Sequence, residues 1–280
     1  YKSEMTISDE ILKRTSEIYR RVRNTARFLL SNLQGFKPDT EIICFKNLVA
    51  LDKWAISKVY NLQRTVIHSY NNYQFHVATQ EIHHFCSIDM GSFYFDIIKD
   101  RQYTSSRNGH PRKSAQSAMY HIIQALVRLI SPILCFSADE IWDAIPGKKT
   151  ELILETWYTE VQKIGTIYQS DLLFWDHVQK VRSECNKLLE AKRIAGKIGS
   201  SLETSLTLYL KRDLYNVIDQ LRAELRFVLI VSDARIKFFD EAPQSAQVTD
   251  LKGLKVDITL AEGSKCQRCW HRQDNVGTSD

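Results

Sequence analysis

The chain has 280 residues, of which 44% are apolar and 25% charged, the balance of a soluble globular protein long enough for two domains. Disorder is not the default for that composition, and the most apolar stretch, Ile122 to Phe136, is interrupted by Arg128 and Pro132, so no segment reads as a membrane span. A formal net charge of +5 suits a polyanionic partner without demanding one.

The first predicted element is a helix from Ser8 to Leu33. Ile11, Ile18, Val22, Ala26, Leu29 and Leu33 recur at the three-and-four spacing of one buried stripe, Ser8 can cap it and Gly35 can end it. A second helix is predicted from about Leu48 to Tyr73, with Ile56, Val59, Leu62, Val66, Tyr70 and Tyr73 inward. A third begins near Phe75 with Ala78, Ile82 and Phe85, and Asp89 to Ser92 reads as a break before Phe93 to Lys99. After the polar loop Ser105 to Pro111, a helix is expected from Ser114 to Ile130, stopped or kinked at Pro132. Ser137, Ala138, Asp139 and Glu140 read as a capping box opening a short helix closed by Pro146 and Gly147. Long amphipathic helices with short joints make a bundle, assigned to residues 1–158.

The pattern changes after Tyr158. A helix from Asp171 to Ala195 leads to Gly196 and Gly199, and then Leu206, Leu208 and Leu210 alternate with polar neighbours as a half-buried strand does. A helix from Asp213 to Leu225, a strand-like Phe227 to Ser232, a polar connection from Glu241 to Asp250 and a second alternation at Val256, Ile258 and Leu260 follow. Residues 159–260 therefore read as a small α+β module leading to a knuckle at 261–280. The fold class is mainly α, with no internal repeat and no low-complexity tract.

That knuckle carries the most specific motif. Cys266 and Cys269 stand at the spacing that presents two thiolates to one tetrahedral ion, and His271 is the nearest candidate for a third ligand. Two readings stand: half of a Zn²⁺ site, or two incidental cysteines. Arg268 and Trp270 favour the first, since a guanidinium and an indole on one turn make a surface for a nucleic-acid base. Cys44, Cys86, Cys135 and Cys185 lie in apolar segments and read as buried thiols, which fits a reducing cytoplasm. The chain opens on Tyr1 to Glu4 with neither an initiator Met nor a cleavable signal, and is expected to be a piece of a longer protein.

No catalytic constellation is expected. Gly196 to Ser201 lacks the Walker spacing and follows a helix where a strand should precede it; His76, Glu81, His83 and His84 do not form the metal-binding helix motif. What remains is binding. Arg20, Arg23, Asn24 and Arg27 share the face opposite the first apolar stripe, with Tyr19 beside them, and could follow a phosphate backbone. The competing readings are a solvated face or an Arg tied to an acidic partner such as Asp52 or Asp100. A second basic cluster is Lys99, Arg101, Tyr103, Arg107, Arg112 and Lys113, around the loop of Asn108 to His110.

The stretches Tyr19 to Leu33 (YRRVRNTARFLLSNL), Phe93 to Tyr103 (FYFDIIKDRQY), Pro132 to Trp142 (PILCFSADEIW) and Lys197 to Glu203 (KIGSSLE), with the terminal cysteine knuckle, give the whole chain a resemblance. It resembles the C-terminal, anticodon-binding region of the bacterial-type isoleucyl-tRNA synthetase family, class I aminoacyl-tRNA ligases. The first three stretches are shared in spirit with valyl and leucyl relatives; the last two point to isoleucine.

The resemblance implies a class I anticodon-binding helical bundle, a small α+β module and a zinc knuckle whose second cysteine pair is missing. It implies isoleucine tRNA as partner, bound by Arg20, Arg23, Asn24, Arg27, Arg268 and Trp270, with Cys266 and Cys269 as zinc ligands. The ATP and Mg²⁺ chemistry, marked in that family by His-Ile-Gly-His and Lys-Met-Ser-Lys-Ser, belongs to a catalytic domain outside this sequence, as does editing. A monomeric, cytoplasmic protein with no membrane or DNA partner is the expectation. Rival readings are a fragment of a valyl or leucyl ligase, a DNA-repair glycosylase finger, which the helical bundle does not fit, and a free-standing RNA-binding module.

Overall fold

The computed structural model describes residues 6–148, 150–161 and 169–278, without the side chains of residues 100, 169–172 and 223. Tyr1 to Glu4 and the side chain of Asp100 thus lie outside the described residues. The chain divides into two compact units, Tyr1–Gln169 and Ser170–Asp280. Among the described residues no helix is long and apolar enough to cross a membrane.

The first unit is helical. Helix α1 (Asp9–Asn32) is capped by Ser8, whose hydroxyl accepts from the backbone N–H of Ile11 at 3.3 Å, and it buries Val22, Thr25, Ala26 and Leu29. Its first two turns stand out from the core, leaving Ile11 43% exposed where the stripe predicts burial. A short α2 (Pro38–Glu41) and α3 (Ala50–Asn71) follow, and α3 sinks Trp54, Ile56, Val59 and Val66. Helix α6 (His110–Ile130) is the axis of the core, with Ala118, Met119, Ile122, Ile123 and Leu126 wholly buried. At about 1.5–3 kcal/mol for each fully buried large apolar side chain, this helix anchors the unit. It starts before Ser114 because Pro111 fits the first turn, where a missing N–H costs nothing. α7 (Cys135–Asp143) ends this run.

Two expectations fail here for local reasons. The predicted break at Asp89 to Ser92 is a continuous helix: α4 (Phe75–His84) passes through a π-helical segment, Phe85–Tyr94, into α5 (Phe95–Thr104). Within it Met90 is fully buried, and Asp89 meets Lys58 Nζ at 3.1 Å. An i→i+5 ladder widens the turn, and absorbs a glycine and an aspartate that would punctuate an α-helix. The capping box at Ser137 to Glu140 is also corrected. Helix α7 begins at Cys135 and takes no side-chain cap; Ser137 lies inside its first turn, with its Oγ 3.1 Å from the hydroxyl of Tyr19.

The second unit opens with α8 (Gln169–Ile194), which ends where Gly196 turns at φ +67°. Strand β1 (Thr204–Leu210) is one of the sheet's two inner strands, parallel to β2 (Asp233–Phe238) and antiparallel to the other, β4 (Leu254–Leu260), with the two-residue β3 (Gln247–Val248) beyond, in the order β2-β1-β4-β3. A parallel pair needs a crossover, supplied here by α9 (Arg212–Ile218), a 3-10 stretch Asp219–Glu224 and α10 (Leu225–Leu229). This corrects the strand expected at Phe227 to Ser232: Leu225, Val228 and Leu229 are buried at helical spacing, and the strand waits until Asp233. A two-stranded hairpin, β5 (Ser264–Lys265) with β6 (Arg272–Gln273), carries the cysteine knuckle.

All six cysteines are free thiols. Cys86 and Cys185 are buried, and desolvation pushes each thiol up to about 12. Cys44 and Cys135 are exposed, against expectation: each sits just before or at the first residue of a short helical segment, on an apolar stretch that itself reaches the surface, with Ile42, Ile133 and Phe136 exposed beside them.

Candidate nucleic-acid interface

A phosphate backbone needs cations that are free to meet it. Arg20, Arg23, Asn24 and Arg27 are all exposed on α1, on the side opposite Val22, Ala26 and Leu29. At 1.5 Å rise per residue they span about 10 Å, enough to face more than one phosphate of a strand. Arg20 meets Glu17 Oε2 at 2.5 Å in a solvent-exposed pair of the kind that contributes little. Among the described residues no ion pair engages Arg23 or Arg27. The helix beneath them is held from below: Phe28 stacks on Phe95 with ring centroids 4.1 Å apart, and Tyr19 reaches Ser137. Fixed backbone and free side chains suit a surface that meets a ligand.

The second basic cluster is put to other use. Arg101 reaches inward to Asp52 Oδ2 at 3.2 Å, Lys99 pairs with Asp96 at 2.8 Å, and Lys113 meets Glu41 at 3.3 Å. Asp52 is fully buried and also accepts from the hydroxyls of Tyr94 at 2.7 Å and Ser114 at 2.5 Å. Burial first, and then the Asp52 charge, hold the Tyr94 phenol well above its ordinary range. These contacts join α3, α5 and α6. An Arg bound to Asp52 was one of the readings of the basic residues on α1, and it belongs instead to Arg101. His110, the first residue of α6, contacts the carbonyl of Asn47 at 2.9 Å, and Arg107 and Tyr103 remain exposed.

In the second unit the cysteine knuckle is a tight reverse turn. The N–H of Trp270 donates to the carbonyl of Cys266, and that of Cys266 donates to the carbonyl of His271, both at 2.9 Å. Trp270 closes the turn in the left-handed region at φ 64°, which leaves its indole 59% exposed with Lys265 Nζ 5.4 Å from the ring. The Cys266 thiol is lowered, first by the backbone N–H of Cys269, then by that of Arg268 and by the Cys269 thiol. Two sulfurs on one turn, one already stabilised toward thiolate, fit half of a tetrahedral zinc shell. His271 does not add to it: the ring is buried, edge-on to Phe227 at 5.9 Å. Among the described residues no group of three His, Cys, Asp or Glu side chains is placed to hold a metal ion. Arg268, like Trp270, is exposed.

Gly196 and Gly199 form the turn after α8, where the Gly199 N–H donates to Glu203 Oε2 at 3.1 Å, so this segment closes a helix. One feature of the second unit has no counterpart in the motif reading: a polar cleft of about 500 Å³ lined by Arg226, Asp233, Arg235, Glu262, Arg272 and Asp274. Its lining comes from five separate segments, and the trace in sequence is the alternation that sets Asp233 and Arg235 on one side of β2.

Residues 52–208 match the family model described as the anticodon-binding domain of tRNA ligase. Over 279 residues, 99% of this chain, 53% are identical to an isoleucine--tRNA ligase of Francisella tularensis subsp. novicida (strain U112), and the same holds for that of Francisella tularensis subsp. tularensis (strain SCHU S4 / Schu 4). The isoleucine--tRNA ligase of Francisella philomiragia subsp. philomiragia is 50% identical over 282 residues. In each case the match takes 30% of the relative's length, so the chain spans less than a third of the curated relatives it matches.

Proposed function

The chain belongs to the family of anticodon-binding domains of tRNA ligases, and from that membership we propose that it grips the anticodon stem and loop of isoleucine tRNA as part of an isoleucine-tRNA ligase. The observation that carries the reading is the row of exposed side chains Arg20, Arg23, Asn24 and Arg27 on a helix fixed to its core. Guanidinium groups in that row would hold backbone phosphates, which positions the RNA without reading its sequence. Bases of a loop are unstacked and reachable; Trp270 would stack on one while Arg268 donates to its edge, and such a stack contributes about 1–3 kcal/mol. The names of the similar proteins favour isoleucine over valine or leucine.

Activation of isoleucine with ATP and Mg²⁺, and its transfer to tRNA, are assigned to the remainder of such a ligase. Cys266 and Cys269 would give two thiolates to a structural Zn²⁺ whose other ligands come from outside the described residues, and the metal would fix the turn that presents Trp270 and Arg268. A monomer in the cytoplasm fits six free thiols and a partner found there.

The reading is tested by filter binding of the 280-residue chain to isoleucine tRNA and to valine tRNA at two salt concentrations. Preference for isoleucine tRNA that persists as salt rises supports it; equal retention of both RNAs at both concentrations overturns it.

A further inference from the structure

We propose that the polar cleft of the second unit receives one unstacked ribonucleotide of the bound tRNA, its arginines meeting the phosphate and its carboxylates the base edge. This rests on the tRNA-binding reading and names a second place where that RNA is read.

The cleft follows from strand register. Arg235, Thr207 and Asp257 stand in one row across β2, β1 and β4, and Asp233, Ser205 and Thr259 in the next. Side chains alternate across a sheet, so these two polar rows share a face, while Leu206, Leu208, Val256 and Ile258 are buried on the other. The polar face ends in the cleft, which Arg226 borders at α10 and Arg272 to Asp274 border at the end of the hairpin. Its wall is braced: the Arg272 N–H donates to Ser232 Oγ at 2.7 Å, and Arg272 Nη1 donates to the carbonyl of Gly263 at 3.3 Å.

The chemistry selects the ligand. Asp233 is already engaged, by Arg235 Nε at 2.9 Å and Ser205 Oγ at 3.1 Å. That leaves donors on Arg226, Arg235 and Arg272 facing acceptors on Glu262 and Asp274. A bare anion would be repelled by those carboxylates, and an apolar ligand would leave the arginines unmet. A nucleotide presents both kinds of group, phosphate oxygens for guanidinium and base N–H groups for carboxylate, and about 500 Å³ is ample for one. Only an unstacked nucleotide offers its base edge this way, which points to a loop and away from a duplex.

The test is filter binding of an isoleucine tRNA transcript to the chain and to its Arg226→Ala, Asp274→Asn and Arg23→Ala variants, with melting curves for each. The cleft predicts that both Arg226→Ala and Asp274→Asn weaken binding by about tenfold, the first by removing a charged donor and the second by replacing a charged acceptor with a neutral one that also brings an amide N–H toward the base donors. Asp274→Asn is decisive because the position is exposed and the change nearly isosteric. If the cleft met phosphate alone, loss of a negative charge would tighten binding, and that result overturns the proposal. Unchanged affinity in both cleft variants, with Arg23→Ala weakened, also overturns it while leaving the tRNA reading intact. No binding by the unaltered chain defeats the reading beneath it.

Discussion

The guanidinium of Arg101 lies 3.2 Å from the carboxylate of Asp52, a side chain with no exposure to solvent. A buried carboxylate persists only if it is paired and hydrogen-bonded, and Asp52 has Tyr94 and Ser114 as well. Arg101→Ala would take a guanidinium partner away from that buried charge. We expect a loss of about 3–5 kcal/mol in urea unfolding, whereas exposed Arg23→Ala stays within about 0.5 kcal/mol of the unaltered protein. Equal effects at the two positions would show that Arg101 is not structural.

His121 sets a pH dependence. It is buried against Tyr158, with Nδ1 2.9 Å from the phenol oxygen, and desolvation lowers it from 6.5 to about 4. The unfolded chain binds this proton more readily, so stability is full above about pH 6.5 and is lost as pH falls toward 4, by about 3 kcal/mol in all. Denaturant midpoints measured from pH 7 to pH 4 should fall in that window, and less steeply in His121→Gln. A parallel fall in the variant would assign the dependence to other groups.

Trp270 separates stability from binding. Its φ of 64° is a conformation glycine adopts without cost, so Trp270→Gly should not lower the melting temperature. The same change removes the exposed indole, and tRNA affinity should drop by about 5- to 150-fold, the equivalent of one stacked base. Retained affinity would take Trp270 out of the interface.

Gly263 is a packing requirement. A Cβ there would sit 2.5 Å from the backbone carbon of Gln273, at a φ of +84°. Gly263→Ala should spring the β5–β6 hairpin, seen as faster hydrogen exchange over residues 262–274 with the first unit unaffected. Unaltered exchange would mean the hairpin gives way at little cost.

The helices were legible because one face of each is apolar, and periodicity reports that directly. Missed features depend on relations that local sequence does not carry. Asp89 and Gly91 read as punctuation, and only the buried Met90 between them, together with Lys58 from another helix, makes a continuous π-helical turn there the better solution. Phe227 to Ser232 read as a strand because apolar β-branched residues cluster there, but the parallel register of β1 and β2 requires a crossover, which takes Phe227 to Leu229 into a helix and Ile230 to Ser232 into the turn after it. At the candidate site, the arginines of α1 could be singled out by helical phase alone. Arg101 could not be told from them until the fold brought Asp52 to it, and the cleft around Arg226 and Arg272 depends on strand pairing across distant segments.

The salt dependence of tRNA binding tests most directly whether α1 holds phosphate. The observed affinity of the 280-residue chain for isoleucine tRNA is measured across a salt series, beside the Arg23→Ala/Arg27→Ala double variant. Two lost phosphate contacts should weaken binding and reduce the slope of log affinity against log salt by about 1.4–1.8 in magnitude. An unchanged slope would contradict the account.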